Sequence, residues 1–429
     1  MFWRSVGVLL LWTGGPVLAQ TTTRVPPNFE IRLEKAARPL SLKEAVGLAL
    51  DQNQDILKAR NNVFRAEAGV RAALALRSPN LSTTSSYTGQ ELGATPFANN
   101  VNLQGTVGWT VYDASREPQI EAAQLTRERT TLDLQTQERN IALSVTTAYF
   151  NLQRADSDVT IQEAAVTNAQ ANSDQTRKRQ QAGLATRFDV LQQEVQLANS
   201  RQSLFAAQNE QARTRLVLAD LLNLSQSIPA RAADPIAPNP DWTQDLAATL
   251  DLALDRRSEL SALERNVAIA SAQQATDNGQ VLPRLTVSAG YGFNDNLRGF
   301  NQPQTILGAS LSWQLYDGGA SVARQEQLEY DKRNLRLDVS QTAQRIRSDI
   351  EQAYLAKETA KAQMGSSQVA VNQASEGLQL IQRRRQLGLS LQIEVITAER
   401  SLTEARQNYA NAVISYNRAL AELGLAVGV

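Results

Sequence analysis

The sequence has no cysteine, no histidine and only two methionines, Met1 and Met364. Without cysteine an exported chain has no disulfide and no thiol for a lipid anchor. Without histidine there is no Ser-His catalysis, no imidazole ligand and no proton relay near neutral pH. Soft and imidazole ligands for a metal relay are thus missing. Net charge is missing too. Lys+Arg and Asp+Glu each number 43, so no overall field points to nucleic acid or an anionic surface. Paired carboxylates could still do acid–base work, but nothing in the sequence frames such a pair. No catalytic, cofactor-binding or metal-binding residue is assigned, and the chain does not read as an enzyme.

Long apolar runs are absent after Ala19, where no stretch approaches the roughly 20 residues that a helix needs to cross a bilayer. Before it, residues 1–19 read as a secretory signal. Arg4 gives the positive start and Val6–Trp12 the apolar core. Gly14-Gly15-Pro16 breaks it, and Val17-Leu18-Ala19 supplies a small-residue cleavage site. The apolar run is too short for a retained signal anchor.

What is present is a pattern made twice. Trp109-Thr-Val-Tyr112-Asp113 recurs as Trp313-Gln-Leu-Tyr316-Asp317, 204 residues later. Each closes an alternating run and opens a long helical one. Val101, Leu103, Val107, Trp109 and Val111 alternate with Asn102, Gln104, Thr106 and Thr110; Leu307, Ala309, Leu311, Trp313 and Leu315 alternate with Gly308, Ser310, Ser312 and Gln314. Such alternation predicts strands with unlike faces. Two further strands are expected, a weaker one over Leu81–Thr88 and one over Leu285–Phe293. Helical spacing runs from Leu42 towards Leu76 and from Leu246 to Gln280, stopped by Pro79 and Pro283. After each aspartate comes a helix of about 70 residues, roughly 100 Å long, whose sparse Ala, Leu and Val positions suit a narrow coiled-coil seam. Gly183-Leu184 and Gly388-Leu389 turn these helices back into antiparallel partners.

The expected organisation is signal peptide 1–19, leader 20–40, first repeat 41–224, Pro-rich linker 225–242, second repeat 243–424 and tail 425–429. Each repeat reads helix, strand, strand, long helix, helix, an internal duplication of nearly the whole mature chain. Strands of 10–12 residues suit a tilted transmembrane barrel. Four strands cannot close one, and an open sheet in lipid leaves its edge N–H and C=O groups unpaired. Either the sheet is not in a membrane, or several chains contribute: two give eight strands and little lumen, three give 12 and a conduit. Trp109, Tyr112, Trp313 and Tyr316 then form an interfacial aromatic belt, or, outside a membrane, pack at a strand–helix corner.

On these grounds the chain resembles the TolC-type outer-membrane efflux ducts over about residues 41–424. The likeness rests on the signal, the two repeats, the tips Gln181-Ala182-Gly183-Leu184 and Gln386-Leu387-Gly388-Leu389, and the segments Phe188-Asp189-Val190-Leu191 and Ile393-Glu394-Val395-Ile396. The resemblance implies an α+β membrane protein. In it a homotrimer forms a 12-stranded β-barrel in outer-membrane lipid, four strands per chain, continued by a long α-helical coiled-coil barrel in the periplasm. Its implied partners are a periplasmic adaptor and an inner-membrane pump or ABC exporter, as in tripartite efflux or type I secretion. A pore-free periplasmic coiled-coil scaffold or adaptor is the alternative. The cargo is not legible.

The resemblance also assigns Arg179, Gly183, Leu184, Arg384, Gly388 and Leu389 to adaptor docking, and Asp189 and Glu394 to a periplasmic gate. Local chemistry offers a plainer reading. Cations in a last turn complement the helix dipole, glycine ends helices, and Thr186-x-x-Asp189 is a capping box. Ser390 and Thr397 depart from the family's gate pattern, where an arginine and a second acidic residue are expected.

Overall fold

The computed structural model describes residues 38–90, 98–224, 230–295, 301–387 and 389–428. The expected signal, nearly all of the leader, part of the linker and the docking position Gly388 lie outside these residues. In chain order the elements are β1 (Arg38–Leu40), α1 (Leu42–Gln52), α2 (Gln54–Leu74), β2 (Asn80–Gln90), β3 (Ala98–Tyr112), α3 (Arg116–Gln181) and α4 (Arg187–Leu221). Then follow β4 (Ala230–Ala232), α5 (Leu246–Arg256), α6 (Ser258–Gln280), β5 (Arg284–Asp295), β6 (Asn301–Ser312), α7 (Ala320–Gln386) and α8 (Gln392–Val427). The two halves match closely in helix length: 11 and 11 residues, 21 and 23, 66 and 67, 35 and 36.

The structure departs from the sequence reading in five places. The helices expected over 42–76 and 246–280 are each broken in two. Asn53 turns extended, its Oδ1 accepting from Asp55 N (2.9 Å) while its Nδ2 donates to Leu221 O (3.0 Å). Arg257 breaks the second, its Nε donating to Ala426 O at 2.7 Å. Each break joins a helix start to a distant helix end, which periodicity cannot reveal. The strands also run further into the loops than expected, to Gln90 and Asp295 and from Asn301. Conversely β6 ends at Ser312, not Tyr316, because its partner β5 begins at Arg284, opposite Ser312.

The leader and linker, read as loose, pair through β1 and β4 as a two-stranded parallel sheet. Last, α8 runs to Val427, so most of the expected tail is helix; Val427 is fully buried beside Ala253, Ile346, Ile350 and Leu423.

The sheet is antiparallel in the order β2-β3-β5-β6. The helices nearest it repeat that order: α2 packs on α3, α3 on α6 and α6 on α7. Towards the other end α4 packs on α3, α3 on α8 and α8 on α7. Two long helices, α3 and α7, thus run the length of one wall, each about 100 Å. Among the described residues no helix is long and apolar enough to cross a membrane.

The best-packed part lies midway, where the linker docks. Tyr149, 1 % exposed, sits among Leu40, Ala45, Ala49 and Leu152, and its hydroxyl lies 2.8 Å from Asp234 Oδ2 and 3.0 Å from Leu40 O. Further along, Asp241 accepts from Lys361 Nζ (2.5 Å) and the Tyr416 hydroxyl (3.0 Å). Asn417 brackets Asn239 N and Ala237 O at 2.8 Å each. The linker therefore ties α1 and α3 of the first half to α7 and α8 of the second.

Candidate functional site

Two regions stand out, the sheet and the paired helix tips. Cross-strand partners in an antiparallel sheet share a face. Register puts Leu81, Tyr87, Leu103, Val107, Trp109, Val287, Ala289, Tyr291, Phe293, Leu307 and Leu311 on one face. The other carries Ser82, Thr84, Ser86, Gln104, Thr106, Thr286, Ser288, Gly290, Gly292 and Ser310, with Ile306 the one large apolar exception.

The edge strands are exposed on both faces, but on the central strand β3 the apolar side is the more accessible, with Leu103, Val107 and Trp109 exposed. Leu81 is 76 % exposed, Leu307 79 % and Leu311 67 %, while the polar-face residues Asn102, Gln104, Thr106 and Thr110 are only half-exposed. A Cβ on Gly292 would stand 2.7 Å from Leu103 O, so glycine lets the polar face close in on its neighbour strand. An apolar surface of this extent is unlike the water-facing side of a soluble protein.

Beyond Thr110, paired with Thr286, the ladder slips by one residue and Tyr112 pairs with Leu285. That β-bulge brings Tyr112 onto the apolar face with Trp109, whose Nε1 donates to Arg77 O at 3.1 Å. Trp313 and Tyr316 follow the end of β6, exposed, at the same helix-proximal end of the sheet. Sequence reasoning missed a second aromatic group at the far end. Tyr87 pairs with Val101 and Phe293 with Leu103, and Tyr291 stacks edge-on against Phe293 at 5.3 Å. Val101 and Trp109 are about 26 Å apart along β3. The register of β2 and β5 against β3, not readable from one strand at a time, was the missing signal.

At the first tip α3 ends in a Schellman turn. Gly183 has φ +70°, its N–H bonds Gln180 O (3.0 Å), and Leu184 N–H reaches back to Arg179 O (2.8 Å). The second tip repeats the long bond, Leu389 N–H to Arg384 O at 2.8 Å, and Arg384 Nη2 donates to Leu389 O at 3.2 Å. Leu184, Phe188, Leu387 and Leu389 are all exposed.

Asp189 closes a reciprocal capping box: its Oδ2 accepts from Thr186 N (2.8 Å) and Oγ1 (2.7 Å), and Thr186 Oγ1 accepts from Asp189 N (3.2 Å). The Thr186 backbone, then its hydroxyl, hold the Asp189 carboxyl below its usual range. Glu394 accepts only from Leu391 N (3.2 Å), since leucine has no side-chain oxygen to return the bond. Ser390 and Thr397 spend their hydroxyls locally, on Ile381 O (3.4 Å) and Ile393 O (2.8 Å). Thus Asp189 and Glu394 each cap their own helix within this chain and do not meet.

One residue at the tips went unnoticed in the sequence. Glu399 of α8 accepts from Asn172 Nδ2 of α3 at 2.6 Å, and burial raises its carboxyl pKa against the pull of Asn172 and Arg385. Burial and neighbouring Arg179 lower the Arg385 guanidinium. Among the described residues no cluster of three or more potential metal ligands is present.

The sequence profile described as outer membrane efflux protein matches residues 45–224 and 249–429. The pyoverdine export outer membrane protein OpmQ of Pseudomonas putida is 25% identical over 342 residues, 79% of this chain and 72% of its own length. Outer membrane protein TolC of Vibrio cholerae is 22% identical over 410 residues, 92% of each chain. Among solved structures, the Campylobacter jejuni CmeC outer membrane channel superposes with a TM-score of 0.79 at 14% identity, over 90% of this chain and 85% of its own.

Proposed function

The chain belongs to the outer membrane efflux protein family and is an exit duct of the outer membrane with its helical part in the periplasm; we propose that it works as a homotrimer. In this reading three four-stranded sheets close a 12-stranded barrel, and the helical walls continue it as a tube. The observation that carries the proposal is the sheet: one whole face of it is apolar and largely exposed, and among the described residues β2 and β6 each have a partner on one side only. An apolar face suits hydrocarbon, but the open edges of β2 and β6 do not unless other copies pair them. A pore-free scaffold has no use for such a face.

Three further features support it. The two borders of the helical wall expose large apolar side chains, Phe64 on α2 and Phe205 on α4 against Leu337 and Leu355 on α7, as expected of surfaces that meet between copies. The aromatics at both ends of the sheet bracket a band whose height falls to about 20 Å once the strands tilt, near that of an outer-membrane barrel. The matched element lengths support an internal duplication.

In the same reading the tips meet a periplasmic adaptor through Gly183, Leu184, Gly388, Leu389, Arg179 and Arg384. Asp189 and Glu394 stand in the gate, and an inner-membrane pump or ABC exporter delivers the cargo. The mass of the particle purified from outer membranes in detergent tests the proposal. Three copies are expected, and a monomer in the water-soluble periplasmic fraction would refute it.

A further inference from the structure

We propose that the periplasmic mouth of this duct favours anions, and that Lys178, Arg179, Arg187, Arg383 and Arg384 set that preference. The inference rests on the trimeric reading above, in which the two tips of each chain ring the mouth. The chain as a whole is charge-balanced. Its tips are not: within residues 174–194 and 379–399 seven arginines and lysines face five carboxylates.

That is an excess of two positive charges, and hydrogen bonding leaves the carboxylates ionised; what sets the local field is where they sit. Glu194 lies 2.9 Å and Asp174 3.8 Å from Arg177, so those three groups close among themselves. Glu399 is half-buried in the seam between α3 and α8, hydrogen-bonded to Asn172. Asp189 and Glu394 are turned back onto their own backbones.

Helix ends account for part of the cluster, since Lys178, Arg179 and Arg383 stand in last turns where the dipole favours a cation. Arg384 also caps, through Leu389 O. Arg187, however, is the first residue of α4, the helix end where the dipole disfavours a positive charge. Lys178, Arg187 and Arg383 are exposed, and their side chains have neither a hydrogen bond nor an ion pair among the described residues. Arg179 and Arg385, from different hairpins, lie close enough to repel each other. Such a cluster raises the local concentration of anions at the mouth.

The barrel does not oppose this. Among the described residues the polar face of the sheet carries one charged side chain, Arg284, which is ion-paired with Asp113 at 3.6 Å and so adds little field of either sign. Solutes of net negative charge are therefore the cargo class that the entrance admits most readily.

The test uses purified trimers in planar bilayers under a KCl gradient, reading the chloride-to-potassium permeability ratio. The parent should give a ratio above one. Lys178→Gln with Arg383→Gln should lower it roughly two- to fivefold, and Arg187→Gln, from the other arm of the tip, should move it the same way. None of the three makes a contact that folding needs, and trimer yield checks this. A parent ratio at or below one, or a ratio unmoved by both variants, overturns the inference and leaves the duct standing. Parent trimers that never conduct overturn the duct reading and this inference with it.

Discussion

Tyr112 pairs with Leu285, where an unbroken ladder from Thr110 and Thr286 would have set it opposite Arg284. One bulged residue therefore decides which face of the sheet carries the aromatic. The same two-face logic governs the whole sheet and gives the sharpest contrast between neighbouring positions. Val107 is on the accessible apolar face and Thr106 on the polar one. Val107→Lys should cost about 2–4 kcal/mol of barrel stability, while Thr106→Lys should cost little. Trimer yield and denaturant midpoint in lipid vesicles measure the difference, and equal losses at both sites would count against the assigned faces.

At the linker, Lys357 is 2 % exposed, 3.7 Å from Asp241 and 2.6 Å from Glu358, with its ammonium over the Tyr354 ring at 4.4 Å. Asp241→Ala should destabilise the chain by roughly 1–3 kcal/mol, because Lys361 and Tyr416 also lose their acceptor while Glu358 keeps Lys357 partly paired. The Lys361 hydrogen bond, then that of Tyr416, outweighs burial and takes the Asp241 carboxyl down to about 2. A depressed folded pKa means that this stability is present above the unfolded value near 3.8 and is lost as pH falls towards 2. Unfolding midpoints from pH 5 to pH 2 should converge for parent and variant; a gap that persists at the acid end would refute the assignment.

Gly183 holds φ +70° at the first tip. A Gly183→Val chain should lose about 1–2 kcal/mol locally, since a side chain in this region strains the backbone. Trimers in the membrane should survive, while export should fail if the tip is the docking surface. Normal export by this variant would remove the tip from the docking role.

Capping and gating at Asp189 can be separated by one pair of variants. Asp189→Asn keeps an oxygen for Thr186 N and should leave stability nearly unchanged, whereas Asp189→Ala should cost about 1 kcal/mol. If the carboxylate also works in the gate, both variants should change single-channel conductance. Should Asp189→Asn conduct like the parent, the residue is a cap and nothing more.

How much of this was legible in the sequence depends on range. Alternation predicted all four strands and their polar and apolar residues, because side-chain period is a local property. Pro79, Pro283 and the Gly183 turn marked helix ends for the same reason. What the sequence hid was long-range. Asn53 breaks a helix that its neighbours would continue, because Leu221 O waits across the wall. Asp234 and Asp241 make the linker a tie between halves through partners 85 and 175 residues away. The bulge at Tyr112 exists only relative to β5. The far aromatic group, Tyr87 with Tyr291 and Phe293, needed two registers at once. At the tips the capping box of Asp189 was readable, but the burial of Glu399 against Asn172 was not.

Edge pairing between copies is the central physical claim, and the lack of native cysteine makes it directly measurable. One cysteine at Ser86 in β2 and one at a time through residues 305–309 in β6 would probe the seam under mild oxidation in intact outer membranes. The account predicts that at least one pair links β2 of one copy to β6 of the next, giving dimer and trimer bands on denaturing gels. Bands at the monomer position for every pair, in membranes that hold the protein, would contradict it.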